Sequence, residues 1–219
     1  MALRNMVYIG DDTLRKRAKE VTDFGERTNI LIDDMWDTMK SKNGLGLAAP
    51  QVGILRRVAI INVPAAVNNE DGVEEDGPEG GTKTEAEISA ENDNSAGSGS
   101  ETEVSTDNNI KKNTGNSDTK DIKTADSDKK HGKYELINPV LLESDGEICL
   151  QEGCLSVPEK LGKVKRPTWV KVRAQDRNGE EFTFEGEDML ARAICHELDH
   201  LNGVLFVDIA EEIEDLNEN

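Results

Sequence analysis

From Ala66 to Gly132 the chain runs for 67 residues without a single Leu, Met, Phe, Tyr, Trp or Cys. That stretch carries 17 acidic and 7 basic residues and is otherwise rich in Gly, Ser, Thr, Asn and Ala. Such a composition cannot bury enough apolar surface to offset the entropy of ordering it. No period of 2 or 3.6 runs through it either. Residues 66–132 are therefore expected to be a disordered acidic insertion. The other 152 residues hold every aromatic residue and all three cysteines, and they suffice for one hydrophobic core.

The balance of 26 basic and 45 acidic residues gives a net charge of −19, and a pI near 4.5. This argues against direct nucleic-acid binding, which needs clustered Lys and Arg. No apolar run approaches the ~18 residues that would span a membrane. The opening MALRNMVYIGDD lacks the apolar stretch of a secretory signal. Three cysteines cannot all pair, and their spacing is no disulfide framework. A reducing, cytoplasmic location is expected.

The apolar residues Ile30, Leu31, Met35 and Met39, with Trp36, recur at helical spacing and predict a helix over about Glu26 to Lys42. Arg57 to Val63 is strongly β-prone. Tyr134 to Leu142 is a second such run, interrupted by Asn138-Pro139. Val164, Val170, Val172 and Ala174 predict strands on either side of a break at Pro167. Asp176 to Gly179 reads as a turn, followed by alternation over Glu181 to Glu185. The last strong element is a helix over about Asp188 to Asn202, with Leu190, Ile194, Leu198 and Leu201 as its apolar stripe and Gly203 suited to its end. The class is α+β: antiparallel sheets, an N-terminal helix and a C-terminal helix. The insertion falls in a loop between two strands.

The late helix contains His196-Glu197-Leu198-Asp199-His200. Spacing i, i+4 places both imidazoles on one face, one turn apart, where they can share a metal ion. Glu197 is offset by about 100° and can reach a metal-bound water without being a ligand. A catalytic site needs a third protein ligand. His131 sits at the edge of the insertion, so Cys154 in Glu152-Gly153-Cys154-Leu155-Ser156 is the stronger candidate. A third cluster, Gly44 to Gln51 (GLGLAAPQ), reads as a tight loop ending in an amide that can donate to an oxyanion. It lacks the Lys-Ser/Thr ending of a phosphate-binding loop.

These three clusters, in this order, resemble the peptide deformylases, whose motifs run G-φ-G-φ-A-A-x-Q, E-G-C-L-S and H-E-x-D-H. The resemblance covers nearly all of residues 1–65 and 133–207, the expected catalytic domain, and extends to Arg15, Ile137-Asn138-Pro139 and Leu201 to Phe206. It implies that Cys154, His196 and His200 bind the metal. It implies that Glu197 is the general acid/base and that the Gln51 amide and the Leu155 N–H bind the oxyanion. Gly46 and the strand at Glu152-Gly153 would hold the substrate backbone, and the methionine side chain would enter a pocket with Leu45 and Ala193. The implied metal is ferrous iron (Fe2+), with Zn2+, Ni2+ or Co2+ as substitutes. The implied substrates are N-formylmethionyl nascent peptides, met close to the ribosome. Cys195 stands where many members have Gln, and its place on the helix points it away from the metal.

Two other readings share the H-E-x-x-H motif: a metallopeptidase cutting internal bonds, and an inactive scaffold whose acidic insertion binds a partner. Residues 208–219 form an acidic tail with 6 acids and no base, expected to continue as a solvated helix.

Overall fold

The computed structural model describes residues 2–63 and 132–217. Apart from Gly132, the expected insertion lies outside them, as does His131. The described residues hold three helices, α1 (Glu26–Ser41), α2 (Asp188–Asn202) and the short α3 (Phe206–Ile209), and eight strands. One sheet has the order β1-β2-β3-β6-β7, from β1 (Gly46–Ala48), β2 (Val58–Val63), β3 (Gly132–Asp145), β6 (Trp169–Gln175) and β7 (Glu181–Glu187). The second has the order β4-β5-β8, from β4 (Ile148–Cys154), β5 (Val157–Arg166) and β8 (Glu212–Asp215). Every strand pairing is antiparallel. The α+β class expected from the sequence is thus the observed one.

The near-continuous apolar run of β2 has a physical cause: both of its faces are covered. Val58 and Ile60 pack with Leu31, Ile32, Met35 and Met39 of α1. Ile61 and Val63 pack with Leu190, Ala191, Ile194 and Leu198 of α2. A strand buried on both faces loses the alternation that a half-solvated strand shows. In α1 the buried stripe includes Ile32, while Ile30, assigned to it from the sequence, is 47% exposed. The helix stops where Asn43 takes φ 54 and the Gly44 N–H donates to the Met39 carbonyl. In α2 the stripe Leu190, Ile194, Leu198, Leu201 is buried as expected, and Gly203 closes the helix with φ 80.

Two expectations are corrected. Asn138-Pro139 does not interrupt its strand: β3 continues to Asp145, and a bulge between Ile137 and Val140 absorbs the pair. A bulge tolerates proline, which has no N–H for the ladder. Asn138, with φ 51, turns its amide to the Val21 backbone and to the Gln175 side chain. Nor does the acidic tail continue as a helix. Ala210 is extended, and Glu212–Asp215 pair with β5. The acids of the tail meet a row of bases there: Lys163–Glu212 (2.6 Å), Lys165–Glu211 (2.8 Å) and Lys160–Asp215. Among the described residues no helix is long and apolar enough to cross a membrane.

Val63 lies directly opposite Gly132 in the β2–β3 ladder, so the chain between them leaves and re-enters the sheet at one place.

Candidate metal centre

Three elements meet at the site. Buried against the five-stranded sheet, α2 presents His196, Glu197 and His200. Cys154 is brought in at the last position of β4. The 3-10 turn Ala49–Val52 carries Gln51, whose Oε1 accepts the Ala48 N–H at 2.8 Å and so fixes the amide. The early extended segment holds two of these pieces in place. Its Val7 N–H donates to the Gln51 carbonyl and its Ile9 N–H to the Ser156 carbonyl, both at 2.8 Å.

The Cys154 Sγ lies 3.1 Å from His200 Nε2, and the ligand atoms of Cys154, His196 and His200 all lie within 4.8 Å of one another. One sulfur and two imidazole nitrogens at this separation can hold a metal ion, and such a donor set suits iron or zinc. The Gln51 Nε2 donates to the Cys154 Sγ at 3.4 Å and to the Ser156 Oγ at 3.2 Å, which places the amide at the edge of the ligand set. Leu155 and Ser156 form the turn between β4 and β5.

His196 is oriented from behind. Its Nδ1–H donates to Glu152 Oε2 at 3.1 Å, leaving Nε2 for the metal. Glu152 is gripped in turn by Arg166, whose Nε and Nη2 donate to its two oxygens at 3.0 Å each. The third arm of Arg166 donates to Asp199 at 2.6 Å. Both side chains of the Arg166–Glu152 pair are buried, at 5% and 6% exposure. Burial would raise the Glu152 pKa, but the hydrogen bonds from His196 and Arg166 outweigh it and hold the carboxyl down at about 2. For His196, burial would lower the pKa; the hydrogen bonds with Cys154 and Glu152 raise it to about 10. The Glu152 carboxylate that favours a proton on this ring also favours a cation beside it. His200 is pushed well below its ordinary value by burial and by the charge of His196.

Glu197 stands apart from the ligands. It is 4% exposed, and its Oε2 has no hydrogen-bond partner among the described residues. Burial pushes its carboxyl up to about 7. Its side chain lies against Gly46: a Cβ there would fall 2.9 Å from Glu197 Cδ and 3.1 Å from Cγ, with Oε1 closer still. The glycine is what makes room for the carboxylate. Cys195, next to the first histidine, faces the core with Ile194 and Leu198, and burial raises its thiol to about 11.

A cleft of about 510 Å³ opens beside the ligand set, and its lining includes Gln51, Cys154, Leu155, His196 and Glu197. Leu45, Gly46, Glu152, Gly153 and Ala193 line it too. Of the site residues expected from the sequence, only His200 does not line this cleft; it is buried and joins the others through the ligand set. The residue missed by sequence reasoning is Arg166. A signal for it existed: on β5 it shares the phase of Val164, and both are buried. An arginine on the buried face of an alternating strand needs a carboxylate partner.

Comparisons with known proteins point to one family. The polypeptide deformylase family model matches residues 3–215. The chain is 37% identical over 214 residues to peptide deformylase 1 of Clostridium acetobutylicum, covering 98% of this chain and 99% of that protein. The crystal structure of a peptide deformylase from Legionella pneumophila superposes with a TM-score of 0.63 at 31% identity, over 96% of this chain and 87% of that one. The class I type b peptide deformylase of Acinetobacter baumannii, with Met-Ala-Ser bound, gives a TM-score of 0.63 at 27% identity, over 94% of this chain and 98% of that one. By the family model, the relatives and the fold alike, the chain belongs to the polypeptide deformylase family.

Proposed function

We propose that Cys154, His196 and His200 hold one ferrous iron and that the cleft they close hydrolyses the formamide of N-formylmethionyl peptides, releasing formate and a free α-amine. Removal of the formyl group from an N-terminal methionine is the reaction of the family to which the chain belongs. When bound, such a metal supplies Lewis acidity for activating water and polarising a carbonyl. The chain's own residues supply the rest. Glu197 takes a proton from the attacking water and passes it to the leaving nitrogen, without which an amide anion would have to depart. The Gln51 amide and the Leu155 N–H donate to the developing oxyanion, each such donor commonly worth ~3–4 kcal/mol. Backbone at Gly46 and at Glu152-Gly153 holds the peptide extended, and the methionine side chain enters beside Leu45 and Ala193.

The observation that carries this reading is the placement of Glu197: a buried carboxylate with one unpartnered oxygen, adjacent to three convergent ligands and facing the cleft. Met-Ala-Ser bound to the Acinetobacter baumannii relative supports assigning peptides that begin with methionine to this cleft. Such substrates arise at the ribosome, and the reaction belongs to the cytoplasm. Residues 1–65 and 133–207 form the catalytic domain in this reading, with 66–132 an insertion that contributes none of the site residues. Turnover of formyl-Met-Ala beside an unformylated, internally quenched peptide tests it. Formate release from the first with no cleavage of the second is the expected result. Cleavage of the second would assign the site to a peptidase.

A further inference from the structure

The turn between β4 and β5 carries the Leu155 N–H that would meet the oxyanion, and its side chains go to different cores. Cys154 and Val157 pack with Val164, Leu205 and Phe206. Leu155 instead reaches across to the cluster formed by α1 and β2, where Met39 and Leu47 lie. The C-terminal end of α1 receives it. Asn43, with φ 54, turns the chain out of the helix, and the Gly44 N–H donates to the Met39 carbonyl at 3.0 Å, which folds Gly44 back over the helix end. A Cβ on Gly44 would fall 2.8 Å from Leu155 Cδ1, 3.1 Å from Met39 Cγ and 3.4 Å from the Gly46 carbonyl oxygen. Leu155 is thus seated against bare backbone, with the buried Met39 beside it.

We propose that Gly44 and Met39 are positioning residues for the reaction: they form a socket for the Leu155 side chain, and the socket aims the Leu155 N–H at the oxyanion. The inference rests on the deformylase reading above. An oxyanion donor is effective only when it is held about 2.7–3.1 Å from where the charge develops, so the turn that carries it must be fixed. On one side, the Ser156 carbonyl accepts the Ile9 N–H and its Oγ accepts the Gln51 amide. On the other, Cys154 is paired with Val157 in the ladder. Leu155 itself is held by its side chain. The two glycines of the early loop therefore do different work: Gly46 makes room for Glu197, and Gly44 makes room for Leu155. Although α1 supplies no ligand and no donor, its last turn sets the aim of one.

The test uses the full-length, metal-loaded protein and formyl-Met-Ala, with kcat, KM, metal content and melting temperature read for each variant. In Gly44→Ala the new methyl is trapped between Met39, which is buried and has no room to retreat, and Leu155, which yields. Misplacing a reacting or donor group by about 1 Å costs about 10²-fold. The kcat is expected to fall by about that factor, with KM within threefold of wild type and the metal retained. Leu155→Val lacks the Cδ1 atom and leaves the socket part-empty, and its kcat is expected to fall about tenfold. In the double variant the methyl at position 44 occupies the space that Cδ1 leaves. Its kcat is expected to match Leu155→Val alone, about tenfold above Gly44→Ala, a coupling that two independent injuries would not show. Ile30→Ala, on the exposed face of α1, keeps the wild-type kcat. A wild-type kcat in Gly44→Ala, a rise in KM alone, or a double variant as slow as the product of the two single losses overturns the proposal. Should Gly44→Ala fail to fold, Leu155→Val decides alone, and a wild-type kcat there overturns it. If the wild-type protein releases no formate, the deformylase reading itself fails and takes this inference with it.

Discussion

Gly46→Ala offers a way to disturb the proton-transfer group without touching it. A Cβ at position 46 would stand 2.9 Å from Glu197 Cδ, with Oε1 closer. Ordinary contact begins near 3.5 Å, so the carboxylate must withdraw by about 0.6 Å or more. The backbone at Gly46 is a strand paired with Ile61 and accepts alanine without strain. The moving atoms are the far end of a side chain, so the fold should lose little: a melting temperature within a few degrees of wild type. Catalysis should lose much more. A displacement near 1 Å of a reacting group costs about 10²-fold, or ~2.7 kcal/mol of barrier. Steady-state kinetics on formyl-Met-Ala should show kcat reduced by about that factor, with the metal content retained. The same substitution made on top of Glu197→Ala should add almost nothing, because the group it displaces is already gone. A kcat within threefold of wild type for the single variant would refute the reasoning. So would a full 10²-fold loss in the Glu197→Ala background.

Four further outcomes follow from the same geometry. Cys154→Ala should lose stoichiometric metal and turnover together, whereas Cys195→Ala should keep the metal; elemental analysis distinguishes them. Arg166→Met strands the buried Glu152 carboxylate, a loss of about 3–5 kcal/mol, readable by calorimetry as a fall in melting temperature of roughly 10 °C. Replacing residues 64–131 by a short Gly/Ser linker joins strand ends that already face each other at Val63 and Gly132; turnover should stay within a few-fold, and stability should rise by about 2 kcal/mol in closure entropy. For Glu135, burial would raise the pKa, but hydrogen bonds from Arg177 and Trp36 outweigh it and hold the carboxyl below its ordinary value. Its stabilising contribution is therefore complete above its unfolded pKa and is lost as the pH falls through the lower folded one. The melting-temperature gap between wild type and Glu135→Gln should shrink as the pH is lowered past the ordinary carboxylate range and through the lower folded-state pKa.

Local signals made both long helices legible. For α2, the stripe at Leu190, Ile194, Leu198 and Leu201 and the glycine at 203 set both ends, and the i, i+4 histidines set the chemistry. Cys154 and Gln51 were legible only because the H-E-x-x-H motif demanded further ligands and donors and because the motif order matched a family. What escaped is non-local. β8 lies in a sequence that looks like a solvated acidic tail, and only its pairing with the lysines of β5 makes it a strand. The passage of β3 through Asn138-Pro139 depends on Val21 and Gln175, far away in the chain, which take up the asparagine's amide. Arg166 escaped because its partners, Glu152 and Asp199, come from a different strand and from α2. Ile30 and Ile32 could not be ranked from the helical period alone, since which one is covered depends on where β2 lies.

The central claim is that one metal held by Cys154, His196 and His200 works with Glu197 to remove formyl groups. The most direct measurement takes protein purified without oxygen and determines metal content and formate release from formyl-Met-Ala on the same sample, before and after chelation and after ferrous iron is added back. The expected result is about one metal per chain, with formate release that falls with the metal and returns with it. Formate release that is indifferent to metal content, or a fully loaded protein that releases none, would contradict the account.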